Sequence, residues 1–213
     1  ALEQRLFIQL DEKIYANTAT GPAHILERYS AGSSADPRQS KPNWNMSFEL
    51  DTAAPVGGVL LLHGMSDSPY SLRALGKTLN ERGYQVVGLR LPGHGTAPSG
   101  LRYVTWQDMA AAVELAMAHL AKSLGSKPIH MVGYSTGAPL ALDFTLKAVV
   151  EGKVPAPASL VLISPAIRVH PTGALAGFKN AMAVIPGLGG MAYLSIMDEF
   201  DPYKYNSFAT NAG

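Results

Sequence analysis

The segment that most constrains the fold of this chain lies between Ile129 and Gly137. An apolar run with strand character leads into Gly-Tyr-Ser-Thr-Gly, and a stretch compatible with a helix follows. This order predicts a strand, a sharp turn at Ser135 and a helix. Such a turn strains the backbone of the serine and brings the strand close to the helix. Gly133 and Gly137 leave the room that side chains at these two positions would fill. We therefore expect the Ser135 hydroxyl to stand above the end of a sheet, at the N-terminus of a helix.

Apolar runs that alternate with helical stripes predict an α/β fold with a mostly parallel, doubly wound sheet. Continuous apolar runs are typical of strands that are covered on both faces. The segment Trp44–Leu50 instead alternates apolar and polar residues, which predicts a half-buried antiparallel strand at the start of the sheet. The predicted parallel strands span residues 58–62, 85–89, 129–132 and 160–163.

Capping signals indicate where the helices between these strands begin and end. We expect Ser68 to cap the first helix, with Pro69 in its first position. Thr105 and Asp108 predict a capping box for the second helix, which Gly125 closes. The helical positions expected to face the core are Leu72, Leu75, Leu79, Met109, Val113, Leu120, Leu124, Leu140, Phe144 and Leu146.

Three short motifs follow successive predicted parallel strands. They are Leu-His-Gly-Met at 62–65, Leu-Pro-Gly-His-Gly at 91–95 and Gly-Tyr-Ser-Thr-Gly at 133–137. Their order and separation, between Val56 and Pro165, resemble the α/β-hydrolase family, and in particular its monoacylglycerol-lipase and carboxylesterase-like branch. The resemblance implies the fold of that family and a serine hydrolase activity.

The resemblance also implies roles for residues of the three motifs. Ser135 matches the nucleophile, and the backbone N–H groups of Met65 and Thr136 match an oxyanion hole. Such fixed donors are what a tetrahedral oxyanion requires. We expect His63 to shape the oxyanion loop by hydrogen bonding, and His94 and Tyr134 to lie near the substrate pocket. The residues expected to support the turn and the loop are Gly133, Gly137, His63 and Gly64.

The acid and base of a catalytic triad are not found in the order that the resemblance requires. That order is serine, then Asp or Glu, then His. The only histidine after Ser135 is His170, and the acids that follow it are Asp198, Glu199 and Asp201. Two earlier acids, on or just beyond the helix after the serine, are Asp143 and Glu151. We therefore expect this sequence to be the N-terminal part of a longer hydrolase, or to be completed by a second chain.

The pattern predicts three regions along the chain. Residues 1–43 are expected to form an N-terminal helix and an arm that pack on the core. Residues 44–166 form the predicted α/β-hydrolase core. Residues 167–213 are expected to form an incomplete cap or lid, in which 174–185 reads as an amphipathic helix that could contact a lipid interface or simply pack on the sheet.

Composition excludes several classes of partner and site. With 17 basic and 16 acidic residues and a net charge of +1, nothing in the sequence favours nucleic acid, and the balance suits a small uncharged substrate. The chain has no cysteine, and its six histidines lack metal-ligand spacing, so we expect neither a metal nor another cofactor. Charges interrupt the first residues, Ala1–Arg5, unlike a signal peptide, and no stretch suits a stable membrane span, which favours a cytoplasmic location.

These observations together favour a serine hydrolase that cleaves small or medium acyl esters, such as a monoacylglycerol, through an acyl-enzyme on Ser135. Two alternatives stay open at this point. The missing acid and base would also suit a non-catalytic module of the same fold that binds a ligand or a partner. The same machinery could also cleave an amide, a thioester or a lactone.

Overall fold

A computed structural model describes residues 12–13, 16, 39–65, 67–96, 98–101, 104–152 and 156–167 of the chain. Those from residue 39 onward form one sheet of five strands with three α-helices. The strands are β1 (Phe48–Leu50), β2 (Gly57–Leu62), β3 (Tyr84–Leu89), β4 (Ile129–Tyr134) and β5 (Ser159–Ile163). The helices are α1 (Arg73–Asn80), α2 (Trp106–Leu124) and α3 (Gly137–Glu151), and 3-10 turns span Pro69–Leu72 and Pro98–Leu101.

The sheet has the mostly parallel topology that the sequence predicts. Its strand order is β1-β3-β2-β4-β5. Strand β1 pairs with β3 in the antiparallel sense, and the other three pairs are parallel. Leu62 at the end of β2 is in register with Leu89 of β3 and Gly133 of β4. The carboxyl ends of β2, β3 and β4 therefore meet at one edge, which brings the three motifs together.

Strand β1 is antiparallel as expected, but it begins later than the predicted segment, which started at Trp44. The residues before Phe48 form a turn, in which the Asn43 side-chain oxygen accepts the Asn45 N–H at 3.0 Å. The Asn43 carbonyl accepts the Met46 N–H at 3.3 Å. These local bonds replace strand pairing because asparagine side chains compete well for nearby backbone groups.

The helix signals are confirmed at α2 and wrong in part at α1. Both hydrogen bonds of the predicted Thr105–Asp108 capping box are present, and α2 is followed by Gly125 in a positive-φ conformation. Ser68 precedes a 3-10 turn and makes no side-chain capping bond there. Ser68 is still the residue before the first turn and Pro69 lies in that turn, as predicted, and an Asp67 side-chain oxygen accepts the Ser68 N–H at 2.7 Å.

Helices cover both faces of the sheet. Helices α2 and α3 pack on one face against a cluster that includes Leu60, Leu62 and Met131, and α1 packs on the other face against Leu61. Burial of each such side chain contributes about 1.5–3 kcal/mol. Of the predicted core positions, Leu146 is wrong: it is 56% exposed, because it lies on the side of α3 away from the sheet.

Several predictions fall outside the described residues. Of the predicted N-terminal helix only residues 12, 13 and 16 are described, and they are helical and exposed. The amphipathic segment 174–185 and the acids and histidine after residue 167 are not described, so the three-region division of the chain stays a prediction. None of the helices in the described ranges is long and apolar enough to cross a membrane.

Candidate active site

Ser135 occupies a tight turn between β4 and α3. Its φ angle of 52° lies in the left-handed region, which L-residues other than Asn and Asp rarely adopt. Its N–H donates to the Ile163 carbonyl at 3.0 Å, and its carbonyl accepts from the N–H groups of Ala138 and Ala166 at 3.1 and 3.2 Å. These three bonds hold the strained backbone in place from two neighbouring elements. The predicted strand, turn and helix are thus all present.

Two glycines make this turn sterically feasible. A methyl group on Gly133 would overlap the backbone at the start of α3, at Gly137 and Ala138. One on Gly137 would overlap the Leu62 backbone at the end of β2. Both positions meet backbone atoms, which cannot move aside as a flexible side chain can. The strand–turn–helix geometry at Ser135 therefore depends on both residues.

The loop after β2 packs directly against this turn. A methyl group on Gly64 would lie 3.1 Å from the Ser135 Cβ and 3.3 Å from the nearest Tyr134 ring atom. A side chain here would therefore push Ser135 or the Tyr134 ring aside by a few tenths of an ångström. Met65, the next residue, and Thr136 make no backbone hydrogen bond through their N–H groups to any other described residue. The Met65 N–H follows Gly64, which packs against Ser135. The Thr136 N–H belongs to the turn itself.

His63 connects this loop to the 91–95 motif. Its ring is completely buried, and Nδ1 lies 2.8 Å from the Gly64 carbonyl oxygen. Nε2 accepts the N–H of Leu91 at 3.1 Å, so the proton must be on Nδ1, which donates to Gly64. Since a peptide group is planar and trans, fixing the Gly64 carbonyl also fixes the opposite direction of the Met65 N–H.

Burial keeps the His63 imidazole neutral. It lowers the pKa of His63 to about 3, helped by the nearby His94 and Arg90 and opposed by the bond to the Gly64 carbonyl. A neutral ring can accept the Leu91 N–H and donate to Gly64 at the same time, whereas a charged ring could only donate. The neutral ring therefore joins the two loops through both of its nitrogens.

His94 lies beside His63. The two ring centroids are 5.1 Å apart with a 66° angle between the planes, an edge-to-face contact. The His94 side chain is 1% exposed, and its Nδ1 donates to the Pro92 carbonyl at 2.9 Å. Burial lowers the pKa of His94, while the carbonyls of Pro92, Met65 and Leu91 oppose the shift. These contacts fit the predicted role of His94 in shaping its loop, and its place near the substrate pocket stays a prediction.

Asp67 lies next to this loop and bonds the start of the 3-10 turn. It is buried, and burial raises its pKa, against the opposing hydrogen bonds from the Ser71 hydroxyl and the Ser68 N–H. Tyr134, the residue before Ser135, is 37% exposed. An exposed aromatic ring next to the serine is available to contact a substrate.

No described histidine or carboxylate is hydrogen-bonded to the Ser135 hydroxyl. His63 and His94 use their Nδ1 atoms on backbone carbonyls, and His130 is hydrogen-bonded to Ser159 at the amino end of β4. Asp143 forms an ion pair with Lys147 at 2.8 Å on α3. His170 and the acids after it lie outside the described residues.

A metal site is not visible in the part of the chain that the structure describes. There, no three His, Asp or Glu side chains come together as ligands, and the whole sequence has no cysteine. For chemistry, the arrangement offers the Ser135 hydroxyl at the carboxyl edge of the sheet, with backbone N–H donors nearby.

Comparison with known families agrees with this geometry. The Hydrolase_4 family, described as serine aminopeptidase S33, matches residues 53–192, which include all three motifs. The chain belongs to this family. It is an α/β hydrolase, and the resemblance inferred from the motifs is confirmed.

Individual relatives of this Hydrolase_4 chain include two Bacillus enzymes. It is 38% identical over 88 residues to a thermostable monoacylglycerol lipase of Bacillus sp. (strain H-257), covering 41% of this chain and 34% of that enzyme. It is 35% identical over 97 residues to a carboxylesterase of Bacillus subtilis (strain 168), covering 46% of this chain and 39% of that enzyme. The matches thus span less than half of each relative.

A solved structure gives the same picture of the fold. It comes from work on LipS and LipT, two metagenome-derived lipolytic enzymes, and is 28% identical to this chain with a TM-score of 0.52. The match covers 67% of this chain and 53% of that chain. The described sheet and helices therefore correspond to about half of a lipolytic α/β hydrolase.

The contact that sequence reasoning missed is the bond from Leu91 to His63. The two residues are 28 positions apart, and each follows a different strand. The only signal in the sequence is that β2 and β3 were both predicted as parallel strands, so that their following loops would be neighbours. That signal places the loops side by side but does not identify the atoms that meet.

Proposed function

We propose that this chain is part of a serine hydrolase that cleaves carboxylic esters of small or medium acyl length, monoacylglycerol-like, through an acyl-enzyme on Ser135. The observation that carries the proposal is the positive φ of Ser135 in a strand–turn–helix, with the Gly64–Met65 loop packed against its Cβ. The names of the two Bacillus relatives support the ester as substrate.

The proposed reaction uses the hydroxyl and the two backbone donors. The Ser135 oxygen attacks the ester carbonyl carbon while its proton passes to a base, and the oxyanion that forms is bound by the Met65 and Thr136 N–H groups. The N-terminus of α3 adds a positive potential at Thr136. The base then protonates the departing alcohol, and a water molecule attacks the acyl-enzyme to release the acid and restore the hydroxyl.

We further propose that the acid and base come from residues beyond Gly213, or from a second chain that completes the fold. Supporting this, no described histidine or carboxylate bonds to Ser135, and the matched relatives are much longer than the matched region. Strand β5 is parallel, yet its Val161 and Ile163 are 48% and 39% exposed, whereas parallel strands are normally covered on both faces. A 22.6 kDa chain with full esterase activity would contradict this proposal.

A fluorophosphonate probe tests the nucleophile, and Ser164 offers a matched control. Ser164 also has a positive φ, 44°, and follows the neighbouring strand β5. We expect rapid labelling of the full-length protein that Ser135→Ala abolishes and Ser164→Ala retains. Absence of labelling in the full-length protein would favour the non-catalytic module instead.

The bond that is cleaved can be tested with matched substrates. Hydrolysis of a p-nitrophenyl ester should exceed that of the p-nitroanilide with the same acyl group, since the proposal assigns an ester. A preference for the anilide would support an amide hydrolase, in line with the aminopeptidase description of the family. A thioester and a lactone of the same acyl length complete the series.

A further inference from the structure

Met65 lies between two peptide groups that different histidines contact. The peptide before it carries the Gly64 carbonyl and the Met65 N–H, and His63 Nδ1 donates to that carbonyl at 2.8 Å. The peptide after it carries the Met65 carbonyl. That carbonyl is close enough to the His94 ring to oppose the burial-induced lowering of its pKa. A buried imidazole therefore bonds to the peptide group before Met65, and the carbonyl after it affects the pKa of a second one.

The His94 ring is itself held firmly. Its Nδ1 donates to the Pro92 carbonyl at 2.9 Å, within a loop whose Gly93 and Gly95 have φ angles of 77° and 75°. A methyl group on Gly95 would lie 2.9 Å from the Asn45 carbonyl oxygen, so this loop packs tightly on the turn before β1. The ring position is fixed by backbone geometry and packing.

The contact between the rings gives His94 a second route to the same loop. An edge-to-face contact with centroids 5.1 Å apart restricts the plane of the His63 ring. The direction of the His63 Nδ1–H bond depends on that plane. Rotation of His63 would weaken its bond to Gly64 and release the peptide that carries the Met65 N–H.

An imidazole at position 94 has a cost that an apolar side chain would avoid. Its Nε2 is buried and has no hydrogen-bond partner among the described residues. Leaving a buried polar atom unpaired costs about 1–3 kcal/mol. A phenylalanine would fill similar space without this penalty, although it would lose the bond to the Pro92 carbonyl.

We propose that His94 is a positioning residue for the oxyanion hole, which acts on Met65 through its carbonyl and through the ring of His63. His63 and His94 together aim the Met65 N–H at the oxygen of the ester carbonyl. This inference rests on the function proposed above. Because the contribution is made in the transition state, it should affect kcat rather than KM.

The test compares His94→Phe and His94→Asn in the full-length protein. Phe keeps the ring and removes both nitrogens, while Asn can still donate to the Pro92 carbonyl. The substrate is p-nitrophenyl butyrate, and a boronic acid with the same alkyl chain mimics the tetrahedral intermediate. The control is His130→Asn, since His130 makes the same kinds of contact at the other end of β4: an edge-to-face contact with Tyr84 at 5.6 Å and an Nδ1 bond to Ser159 at 2.8 Å.

We expect His94→Phe to lower kcat by about tenfold and weaken boronic acid binding by about the same factor, with KM changed less than about twofold. His94→Asn should fall between Phe and the parent. His130→Asn should leave kcat, KM and boronic acid affinity within about twofold of the parent.

Two results would overturn the inference. One is a folded His94→Phe protein with kcat and boronic acid affinity equal to the parent. The other is a rise in KM with unchanged boronic acid affinity, which would place His94 in the substrate pocket. If His94→Phe does not fold, the same two criteria apply to His94→Asn. Failure of the proposed function is a separate result, since the parent itself would then neither hydrolyse the ester nor react with the fluorophosphonate.

Discussion

The two ends of the sheet use histidine in different ways. At the carboxyl end, His63 and His94 are almost completely buried, contact each other and bond to backbone carbonyls of loops. At the amino end, His130 is half-buried and bonds to the Ser159 side chain on the neighbouring strand. The first arrangement fixes the direction of individual peptide groups, and the second only joins two strands. Uncharged imidazoles in the interior lower the free energy of unfolding at acidic pH. The buried histidines at the carboxyl end therefore fix the loop geometry but reduce stability in acid.

The largest effect is expected from a pair of glycine substitutions at the two ends of α3. In Gly137→Ala the new methyl group overlaps the Leu62 backbone, so the free energy of unfolding should fall by about 3 kcal/mol and esterase activity should be lost. In Gly152→Ala the methyl group meets nothing within 4 Å, and only the φ of 63° is unfavourable. That variant should lose about 1 kcal/mol and keep its activity.

Urea unfolding and ester hydrolysis measure both consequences. Equal losses for the two alanine variants would show that the carboxyl end is no more tightly constrained than the amino end. In that case the two ends of α3, which runs between the carboxyl and amino ends of the sheet, would not differ in how tightly they are packed.

The second prediction compares His63→Ala with His130→Ala. Loss of the His63 ring leaves the Leu91 N–H without its acceptor and frees the Gly64 peptide. We expect kcat to fall by about 10²-fold, as for loss of an oxyanion donor, and stability to fall by about 1–3 kcal/mol. His130→Ala should lose less than about 1 kcal/mol and keep kcat. A parent-like kcat in folded His63→Ala would contradict the role of the 63–91 bond.

Sequence reasoning succeeded where neighbouring residues decide the structure. The Thr105–Asp108 capping box is a bond between residues three positions apart, and the turn at Ser135 is encoded by the glycines two positions on either side. The order of strands and helices follows from the same local periodicity. For this reason the fold class and the turn at Ser135 could be predicted from the sequence.

The errors and omissions share another cause, which is contact between distant segments. Leu146 fits the helical stripe but lies on a side of α3 that the described elements do not cover. Ser68 has the right residue type and position for a cap, yet its side chain makes no capping bond. The bond between Leu91 and His63 depends on how two loops pack, and no residue spacing encodes it. The precise arrangement of the candidate site therefore required the structure.

The third prediction concerns the free energy of unfolding at acidic pH. The unfolded chain protonates His63 near the ordinary pKa of 6.5, but the folded protein does so only near the lowered pKa of about 3. Since the unfolded state then binds more protons, the free energy of unfolding is fully retained above 6.5 and falls as the pH drops towards 3. The slope from this one residue is at most about 1.4 kcal/mol per pH unit.

Urea unfolding of the parent and His63→Phe at about pH 7 and about pH 5 isolates this slope. His63→Phe should lose less stability on acidification than the parent. Identical acid sensitivity of the two proteins would mean that the buried His63 imidazole does not make folding less stable in acid.

The smallest effect is expected at two carboxylates with opposite shifts. Burial raises the pKa of Asp67, and the Thr105 hydroxyl and N–H lower the pKa of Asp108. A raised pKa means that the folded protein binds the proton more readily, so Asp67 reduces stability at neutral pH and this penalty disappears as the pH falls through its pKa. A lowered pKa has the reverse effect, so the stability from Asp108 is present above its ordinary pKa of 3.8 and is lost on acidification.

Asp67→Asn keeps an oxygen that can accept the Ser68 N–H and removes the buried charge. Its stability at neutral pH should equal or exceed that of the parent by less than about 1 kcal/mol, because the site is partly screened by solvent. Asp108→Asn should be less stable than the parent at neutral pH, since the capping box loses its charged acceptor. Urea unfolding near pH 7 distinguishes the two signs. If Asp67→Asn is clearly destabilised there, the Asp67 charge holds the loop beside Met65, and the carboxyl end would then be organised by a charge as well as by its neutral histidines.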